Sequence, residues 1–176
     1  MSLLAILEVP DPRLRIVASP VPAVDDAVRA IVADMFDTMY DAKGIGLAAT
    51  QVAINQRIVV IDLQEPESDA EDAPVVRNPR VFINPEIVSV SEELSVYSEG
   101  CLSVPEHYAD VERPARCRVK WLDGEGTAHE EEFDGLLATC IQHEIDHING
   151  VVFIDHISRL KRDMVLKKLA KTRKAA

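Results

Sequence analysis

Hydrophobic residues recur at helical spacing near the start of the chain. Within residues 25–42 the apolar positions Val28, Ile31, Met35 and Met39 fall on one face, and acidic residues precede them. A period close to 3.6 residues is typical of an amphipathic helix, and acidic side chains stabilise the positive end of its dipole. The pattern predicts a helix that packs against the core through this face.

Two further segments share this periodicity. In residues 135–148 the apolar side chains cover most of the helix circumference: Leu136, Leu137, Cys140, Ile141, Ile145 and Ile148. A helix of this kind is buried, and its few polar residues are expected to face an internal site. A last amphipathic helix over roughly residues 158–172 is predicted to direct four apolar residues inward and its lysines outward: Leu160, Met164, Val165 and Leu169.

The middle of the chain has a different pattern. The runs "RIVVIDL", "VFINPEIVSV", "ELSVYSEG" and "ARCRVKWLD" are rich in β-branched residues and are separated by turn formers, which predicts antiparallel strands. The acidic, proline-containing residues 64–79 are predicted to form an exposed loop, and "LDGEGT" a hairpin turn. The expected fold class is therefore α+β, with antiparallel β-sheets around a buried central helix and with an N-terminal and a C-terminal helix.

Composition favours one compact domain. The chain has 176 residues, 47% of them hydrophobic, and its three cysteines form no CxxC pair, which argues against a disulfide framework and for a reducing compartment. The N-terminal segment has no basic region before its short apolar run, so neither secretion nor organelle import is expected. No apolar stretch is long enough to cross a bilayer. We expect a cytoplasmic protein without a membrane partner.

Charge is distributed unevenly along the chain. The net charge is −11, but residues 159–176 hold eight of the 19 basic residues and one of the 30 acidic ones, so this end carries +7 and the remainder −18. An acidic body disfavours general nucleic-acid binding, and no DNA partner is expected. The short basic end could contact a polyanion locally, or it could simply be a solvated helix face.

The buried helix carries an HExxH pattern in "QHEIDHING". His143 and His147 are four residues apart and so share one helix face, with Glu144 beside them. Two imidazoles and a glutamate in this arrangement are typical of metal-dependent hydrolases, although a helix can carry two histidines without binding a metal. A catalytic site of this kind usually takes three protein ligands and leaves one position for water.

The third ligand does not follow from the two large HExxH protease patterns. The metzincin pattern would place a third histidine where the chain has Phe153, and the thermolysin-like pattern needs a later glutamate, which does not occur after Glu144. Three weaker candidates remain downstream: Asp155, His156 and Asp163. Upstream, Cys101 follows a glycine at the end of a predicted strand, where a thiol could project into a site, although a free cysteine is more often a core residue.

The glycines point to a meeting of three segments. Gly44, Gly46, Gly100 and Gly150 lie in "GIGLAATQ", "EGCLS" and "QHEIDHING", where close approach of the backbone is expected. With these three motifs in this order, and with "PDPRLR" and "FINPEI", the sequence resembles the peptide deformylase family over nearly its whole length. That family removes the formyl group from the N-terminal methionine of newly synthesised bacterial and organellar polypeptides.

The resemblance implies a role for each motif residue. Cys101, His143 and His147 would be the metal ligands, and Glu144 the general base and later the general acid. Gln51 and the backbone N–H of Leu102 would form the oxyanion hole. Substrate would be bound by the residues beside them: Gly44, Ile45, Gly46, Glu99 and Gly100. Glu99 and Arg113 could pair in support of the site or lie at the surface, and Cys140 is expected in the core, bordering the methionine pocket.

The resemblance also implies cofactor and partners. One divalent metal ion is expected, Fe²⁺ in the cell, with Zn²⁺, Ni²⁺ or Co²⁺ as replacements. The expected partners are N-formylmethionyl nascent peptides, and the ribosome through the basic C-terminal helix. Residues 1–158 would form the catalytic domain and residues 159–176 the basic helix and tail of a monomer. The competing classes are an HExxH metallopeptidase and a noncatalytic module with a structural metal, which would need a fourth protein ligand.

Overall fold

The structure of the protein, a computed structural model, describes residues 2–175. It contains three α-helices: α1 (Asp26–Asp41), α2 (Gly135–Ile148) and α3 (Arg159–Ala175). It contains seven β-strands: β1 (Gly46–Ala48), β2 (Ile58–Ile61), β3 (Arg80–Val90), β4 (Leu94–Cys101), β5 (Val104–Pro114), β6 (Cys117–Leu122) and β7 (Ala128–Phe133). Three short 3-10 helices connect them: Pro12–Arg15, Ala49–Val52 and Phe153–His156. The predicted α+β class with antiparallel sheets is confirmed.

Five of the strands form one antiparallel sheet in the order β1-β2-β3-β6-β7. All four residues of β2 are buried, so this strand lies at the centre of the core. The predicted hairpin joins β6 to β7, and its turn is closed by a hydrogen bond from the N–H of Asp123 to the carbonyl of Thr127 at 2.9 Å. The predicted loop over residues 64–79 is mostly exposed.

Strands β4 and β5 form a separate two-stranded ribbon. The sequence pattern does not predict β5, because most residues of "VPEHYADVERP" are polar and only three of its side chains are buried: Val104, Val111 and Arg113. Pairing with β4, and not a hydrophobic pattern of its own, makes this segment a strand. The ribbon matters for the site because β4 ends at Cys101.

Helix α1 begins where the sequence indicates. The carboxylate of Asp25 accepts a hydrogen bond from the N–H of Val28 at 3.0 Å and so caps the first turn. Val28, Met35 and Met39 are buried, as predicted, whereas Ile31 is only partly buried and Val32 lies deeper. The helix packs this face against the strands of the five-stranded sheet.

Helix α2 lies at the centre of the molecule, as predicted. Ile141, Ile145 and Ile148 belong to a core cluster with residues of β2, β3 and β6. Burying an isoleucine side chain contributes about 1.5–3 kcal/mol, so this face holds the helix firmly in place. Leu136 departs from the prediction, because it is exposed at the first turn of the helix.

Helix α3 begins close to its predicted start, extends three residues beyond its predicted end at residue 172, and packs differently from the prediction. Leu169 is buried in a cluster that includes Leu7 and Phe153, and Val165 packs against the same cluster. Leu160 and Met164 were predicted to face inward, which is wrong, because they are 72% and 58% exposed. The packed face is rotated toward Leu169 and leaves these two side chains on the flank of the helix.

None of the helices within residues 2–175 has the combination of length and apolar character that crossing a membrane requires.

Candidate metal centre

Helix α2 directs three adjoining polar side chains into the interior. His143 and His147 lie one turn apart, with ring centroids separated by 5.0 Å, and both are buried together with Glu144. Polar groups are buried in this way only where they have partners or a function. The helical spacing seen in the sequence therefore places two imidazoles and a carboxylate at one position.

The third donor comes from the end of strand β4. The Sγ atom of Cys101 lies 3.2 Å from Nε2 of His147, and the donor atoms of Cys101, His143 and His147 all lie within 4.8 Å of one another. Within residues 2–175 these three residues are the group that could hold a metal ion. The weaker downstream candidates are engaged elsewhere: Asp155 with Arg15, His156 with Asp146, and Asp163 with Arg159.

The chemistry of this donor set fits a single transition-metal ion. A thiolate and two imidazoles suit zinc, iron or cobalt, and three protein donors leave a tetrahedral ion with one open position. Burial lowers the pKa of His147 well below its ordinary value, so this ring is neutral and its nitrogen lone pair is available. Burial opposes a charge on His143 as well, but hydrogen bonds with Cys101 and Glu99 outweigh it and raise the pKa of His143 to about 10. The surroundings of His143 thus favour positive charge, which a metal cation would supply.

A buried carboxylate orients one of the histidines. Nδ1 of His143 donates to Oε1 of Glu99 at 2.8 Å, which leaves Nε2 as the atom that faces the cluster. This arrangement fixes both the tautomer and the plane of a metal-binding ring. Burial opposes ionisation of Glu99, yet hydrogen bonds from His143 and Arg113 hold the pKa of this carboxyl below its ordinary range.

Arg113 connects this carboxylate to a wider network. Its Nε and Nη2 atoms donate to the two oxygens of Glu99 at 2.7 and 3.0 Å, and its Nη1 donates to Asp146 at 2.8 Å. Nε2 of His156, near the surface, lies 2.9 Å from the same oxygen of Asp146. The sequence left the place of Glu99 and Arg113 open; both are buried and paired. The extension to Asp146 and His156 was not predicted, because these residues meet only when α2 packs beside the 3-10 helix that follows it.

Gln51 faces the same cluster from the short 3-10 helix Ala49–Val52. Its Oε1 accepts from the N–H of Ala48 at 2.9 Å, so the amide nitrogen must point the other way. That nitrogen donates to Oγ of Ser103 at 3.0 Å and lies 3.4 Å from Sγ of Cys101. An amide N–H donor is therefore held beside the candidate ligand, and Leu102 lies in the turn between β4 and β5 on the same side.

Glu144 lies beside the three donor residues, and one of its two carboxylate oxygens lacks a hydrogen-bond partner within residues 2–175. Its Oε1 lies 3.6 Å from Nε2 of His143, while its Oε2 is buried and has no hydrogen-bond partner within residues 2–175. Burial raises the pKa of Glu144 to about 7. A Cβ atom at Gly46 would come 3.1 Å from Oε1, so glycine allows strand β1 to approach this carboxylate closely.

The cluster lies at the base of a cleft of about 460 Å³. The lining includes the residues that the motifs place there: Gly44, Ile45, Gly46, Gln51, Glu99, Gly100, Cys101, Leu102, His143 and Glu144. Three of the four motif glycines thus converge, whereas Gly150 packs against the backbone of Arg15. Leu136 and Cys140 form part of the apolar wall, and burial raises the pKa of the Cys140 thiol, which keeps it protonated.

A sulfur and two imidazole donors beside a buried carboxylate, open to a cleft, define the site of a metal-dependent hydrolase. The sequence model of one family, described as polypeptide deformylase, matches residues 3–163. The chain belongs to this family and is a hydrolase of it.

Individual relatives agree with this assignment. A peptide deformylase from Rhizorhabdus wittichii is 65% identical over 175 residues, which cover 99% of this chain and 98% of the relative. The crystal structure of peptide deformylase from Ehrlichia chaffeensis is 42% identical, with a TM-score of 0.88, over 98% of this chain and 97% of that one. A second crystal structure of the Ehrlichia chaffeensis enzyme, in complex with actinonin, has the same TM-score and identity and covers 98% of both chains.

Proposed function

We propose that Cys101, His143 and His147 hold one divalent metal ion, and that this centre carries the deformylase reaction. As a member of its family the chain removes the formyl group from the N-terminus of nascent polypeptides and releases formate. The observation that carries the proposal is the meeting of three donor atoms within 4.8 Å beside the buried, unpaired Oε2 of Glu144. When bound, the metal supplies the Lewis acidity that makes water nucleophilic at neutral pH and polarises the formyl carbonyl.

Glu144 is the proton carrier in this proposal. Its carboxylate accepts the proton of the attacking water and later returns it to the departing amine, so that formate and a free methionyl terminus leave the site. The unpaired Oε2 supports this role, because a carboxylate oxygen with no protein partner is available to a water molecule. The neighbouring ligand His143 holds its ring against Glu99 and does not compete for this oxygen.

Gln51 and Leu102 stabilise the tetrahedral oxyanion. The bond from Ala48 to Oε1 of Gln51 fixes the amide, so its NH₂ group faces Cys101 and the cleft without reorganisation. The backbone N–H of Leu102, directly after Cys101, is the second donor. Donors that are already aimed at a developing negative charge contribute about 100-fold or more each to turnover.

The cleft walls bind the substrate. Residues 44 and 45 lead into β1, which begins at Gly46 beside Glu144 and, as the edge strand of its sheet, can pair with an extended peptide backbone. Glu99 and Gly100, at the end of β4, lie on the opposite side. Leu136 and Cys140 provide an apolar surface suited to the methionine side chain.

The working metal is proposed to be Fe²⁺ in the cell, with Zn²⁺, Ni²⁺ or Co²⁺ as replacements. A donor set of one sulfur and two nitrogens accepts all four ions, and metal availability then decides between them. The support for iron is the resemblance to the family.

Residues 1–158 are proposed as the catalytic domain and residues 159–176 as a basic extension that holds the enzyme near the ribosome. The support is charge: the extension carries +7 beside a body of −18, and ribosomal RNA is a polyanion. Helix α3 is anchored through Leu169, so most of its basic side chains remain exposed. We further propose that the enzyme acts as a monomer in the bacterial cytoplasm.

Formate release tests the proposed function directly. The metal-loaded protein is incubated with formyl-Met-Ala-Ser and, in parallel, with the acetylated and the unblocked peptide. We expect formate from the first peptide and no cleavage of a peptide bond in any of them. Cleavage of a peptide bond within any of the three peptides would instead indicate a metallopeptidase. A metal-loaded protein that leaves all three peptides intact would indicate a structural metal.

A further inference from the structure

A second groove runs along helix α3. It has a volume of about 470 Å³ and lies between the start of strand β5 and one flank of the helix. Ala109, Ile157, Met164 and Val165 supply apolar surface to it. Met164 is 58% exposed although the sequence pattern would place it in the core. Exposed apolar surface of this kind marks binding sites more often than a scattered single residue does.

This groove adjoins the catalytic cleft. His107 and Tyr108 line both of them, so the two cavities share one wall. The ring of Tyr108 lies directly over Gly100, where it leaves no room for a Cβ atom, and Gly100 precedes the proposed ligand Cys101. Tyr108 is 75% exposed, so a polypeptide that left the cleft over this residue would reach the groove next.

The charge of the groove is opposite to that of the body. Four lysines line it: Lys161, Lys167, Lys168 and Lys171. Within the part of the chain that the structure describes, none of the four makes an ion pair within 4.0 Å. The body outside residues 159–176 carries −18. A negatively charged side chain is therefore repelled over most of the surface and attracted at this groove.

We propose that this groove binds the downstream part of the substrate polypeptide and favours an apolar residue flanked by acidic residues. The inference rests on the proposed function, because the substrate's N-terminus must first be held at the cluster of Cys101, His143 and His147. Once it is held there, the following residues are at high local concentration, so even weak contacts with the groove contribute to binding. Substrates that share the same first residues are then distinguished by the sequence that follows.

Three peptides test the inference in the absence of ribosomes. The short substrate is formyl-Met-Ala-Ser. The acidic substrate adds about six residues, which span roughly 20 Å when extended, with a leucine between two glutamates near its end. The basic substrate replaces the two glutamates with lysines. The acidic body alone predicts faster reaction of the basic peptide, so the two long substrates separate the effect of the groove from general electrostatics.

We expect the acidic substrate to have a kcat/KM about fivefold above that of the short one, because two exposed ion pairs and one apolar contact contribute modestly. The gain should appear in KM, with kcat unchanged, and it should decrease at high salt. In the double variant Lys161→Glu/Lys168→Glu the acidic peptide should lose its advantage and the basic peptide should gain one. Met164→Glu should also reduce the advantage, through the apolar contact.

Arg159→Glu is the matched control, because Arg159 is on the same helix, is 88% exposed and lies away from the groove lining. It should leave the preference for the acidic peptide intact. All variants should hydrolyse the short substrate at the wild-type rate, which shows that they are folded. If the wild type fails on the short substrate, the proposed function itself is wrong.

Two results would overturn the inference while the proposed function stands. One is equal kcat/KM for the acidic and basic peptides in the wild type. The other is an acidic-peptide advantage that survives Lys161→Glu/Lys168→Glu. If the acidic-peptide advantage survives in that double variant while its binding to ribosomes weakens, the groove binds RNA and not the substrate.

Discussion

The carboxylate of Glu99 accepts from Nδ1 of His143 at 2.8 Å while Arg113 holds both of its oxygens. The orientation of a proposed metal ligand therefore depends on the buried ion pair of Glu99 and Arg113. Removal of such an outer partner typically lowers metal affinity about 10–100-fold. The same partner also balances the buried charge of Arg113, so its loss is expected to destabilise the fold.

Glu99→Gln tests this dependence. We expect metal affinity, measured by competition with a chromophoric chelator, to fall by about 10-fold or more, because the amide holds the ring less strongly. Asp123→Asn is the matched control, since Asp123 also bonds a histidine, His129, at 2.7 Å but at the surface. Equal metal affinity of Glu99→Gln and the wild type would show that the carboxylate does not support the metal site.

Glu144→Gln separates proton transfer from metal binding. The substitution keeps the three donors and nearly the same volume but removes the proton acceptor, so the metal should remain while kcat falls by about 100-fold or more. Metal content is measured by elemental analysis and activity by formate release on the same sample. Near-normal turnover in a metal-loaded variant would contradict the role of Glu144.

Cys101→Ser should lower metal affinity, whereas Glu144→Gln should leave the metal bound. A serine hydroxyl is a poor ligand at neutral pH compared with a thiolate, so metal affinity itself should fall. Cys117→Ser is a suitable control, because Cys117 is buried in the core away from the cleft, where burial raises its pKa to about 11. If Cys101→Ser binds metal as tightly as the wild type, Cys101 is not a ligand.

The proposed iron form should lose activity in air. Ferrous iron reacts with oxygen, and a bound thiolate is itself oxidisable, so activity should decay during aeration together with the loss of titratable thiol. Protein loaded with zinc or nickel should keep its activity under the same conditions. An iron-loaded sample that stays fully active through prolonged aeration would count against iron as the working metal.

The proposed contact with the ribosome should depend on charge at the end of α3. Replacing Lys167, Lys171 and Lys174 with glutamate leaves the buried anchor Leu169 in place, so the helix should remain folded. We expect weaker, salt-sensitive cosedimentation with ribosomes, whereas hydrolysis of formyl-Met-Ala-Ser should be unchanged. Lys120→Glu, at a surface position on the body, is the control. Cosedimentation equal to that of the wild type at low salt would show that the helix is not the anchor.

The sequence predicts some parts of this molecule better than others. Helix α2 could be identified because its apolar period and its HExxH pattern coincide on one segment. Strand β5 could not, because its residues are mostly polar and it is formed by pairing with β4. The period of Leu160 and Met164 predicts that this flank of α3 is buried, whereas the helix is rotated toward Leu169 and leaves both side chains exposed.

In the candidate site, too, the sequence predicts some residues and not others. The motifs locate Cys101, His143 and Glu144 because they lie in short, distinctive segments. The link from Arg113 through Asp146 to His156 joins residues from three elements, so no local pattern contains it. Tyr108 was missed for a related reason: it lies in the unpredicted strand, and its contact with Gly100 depends on the register of the ribbon.

Cys101 belongs to a ribbon that is separate from the five-stranded sheet, whereas both histidines belong to the central helix. A metal bound by all three would act as a cross-link between these two parts of the fold. Its binding energy would then contribute to holding the cleft wall in position as well as to chemistry. Protein without metal should therefore exchange the amide hydrogens of β4 and β5 faster than the loaded protein, while those of β2 stay protected.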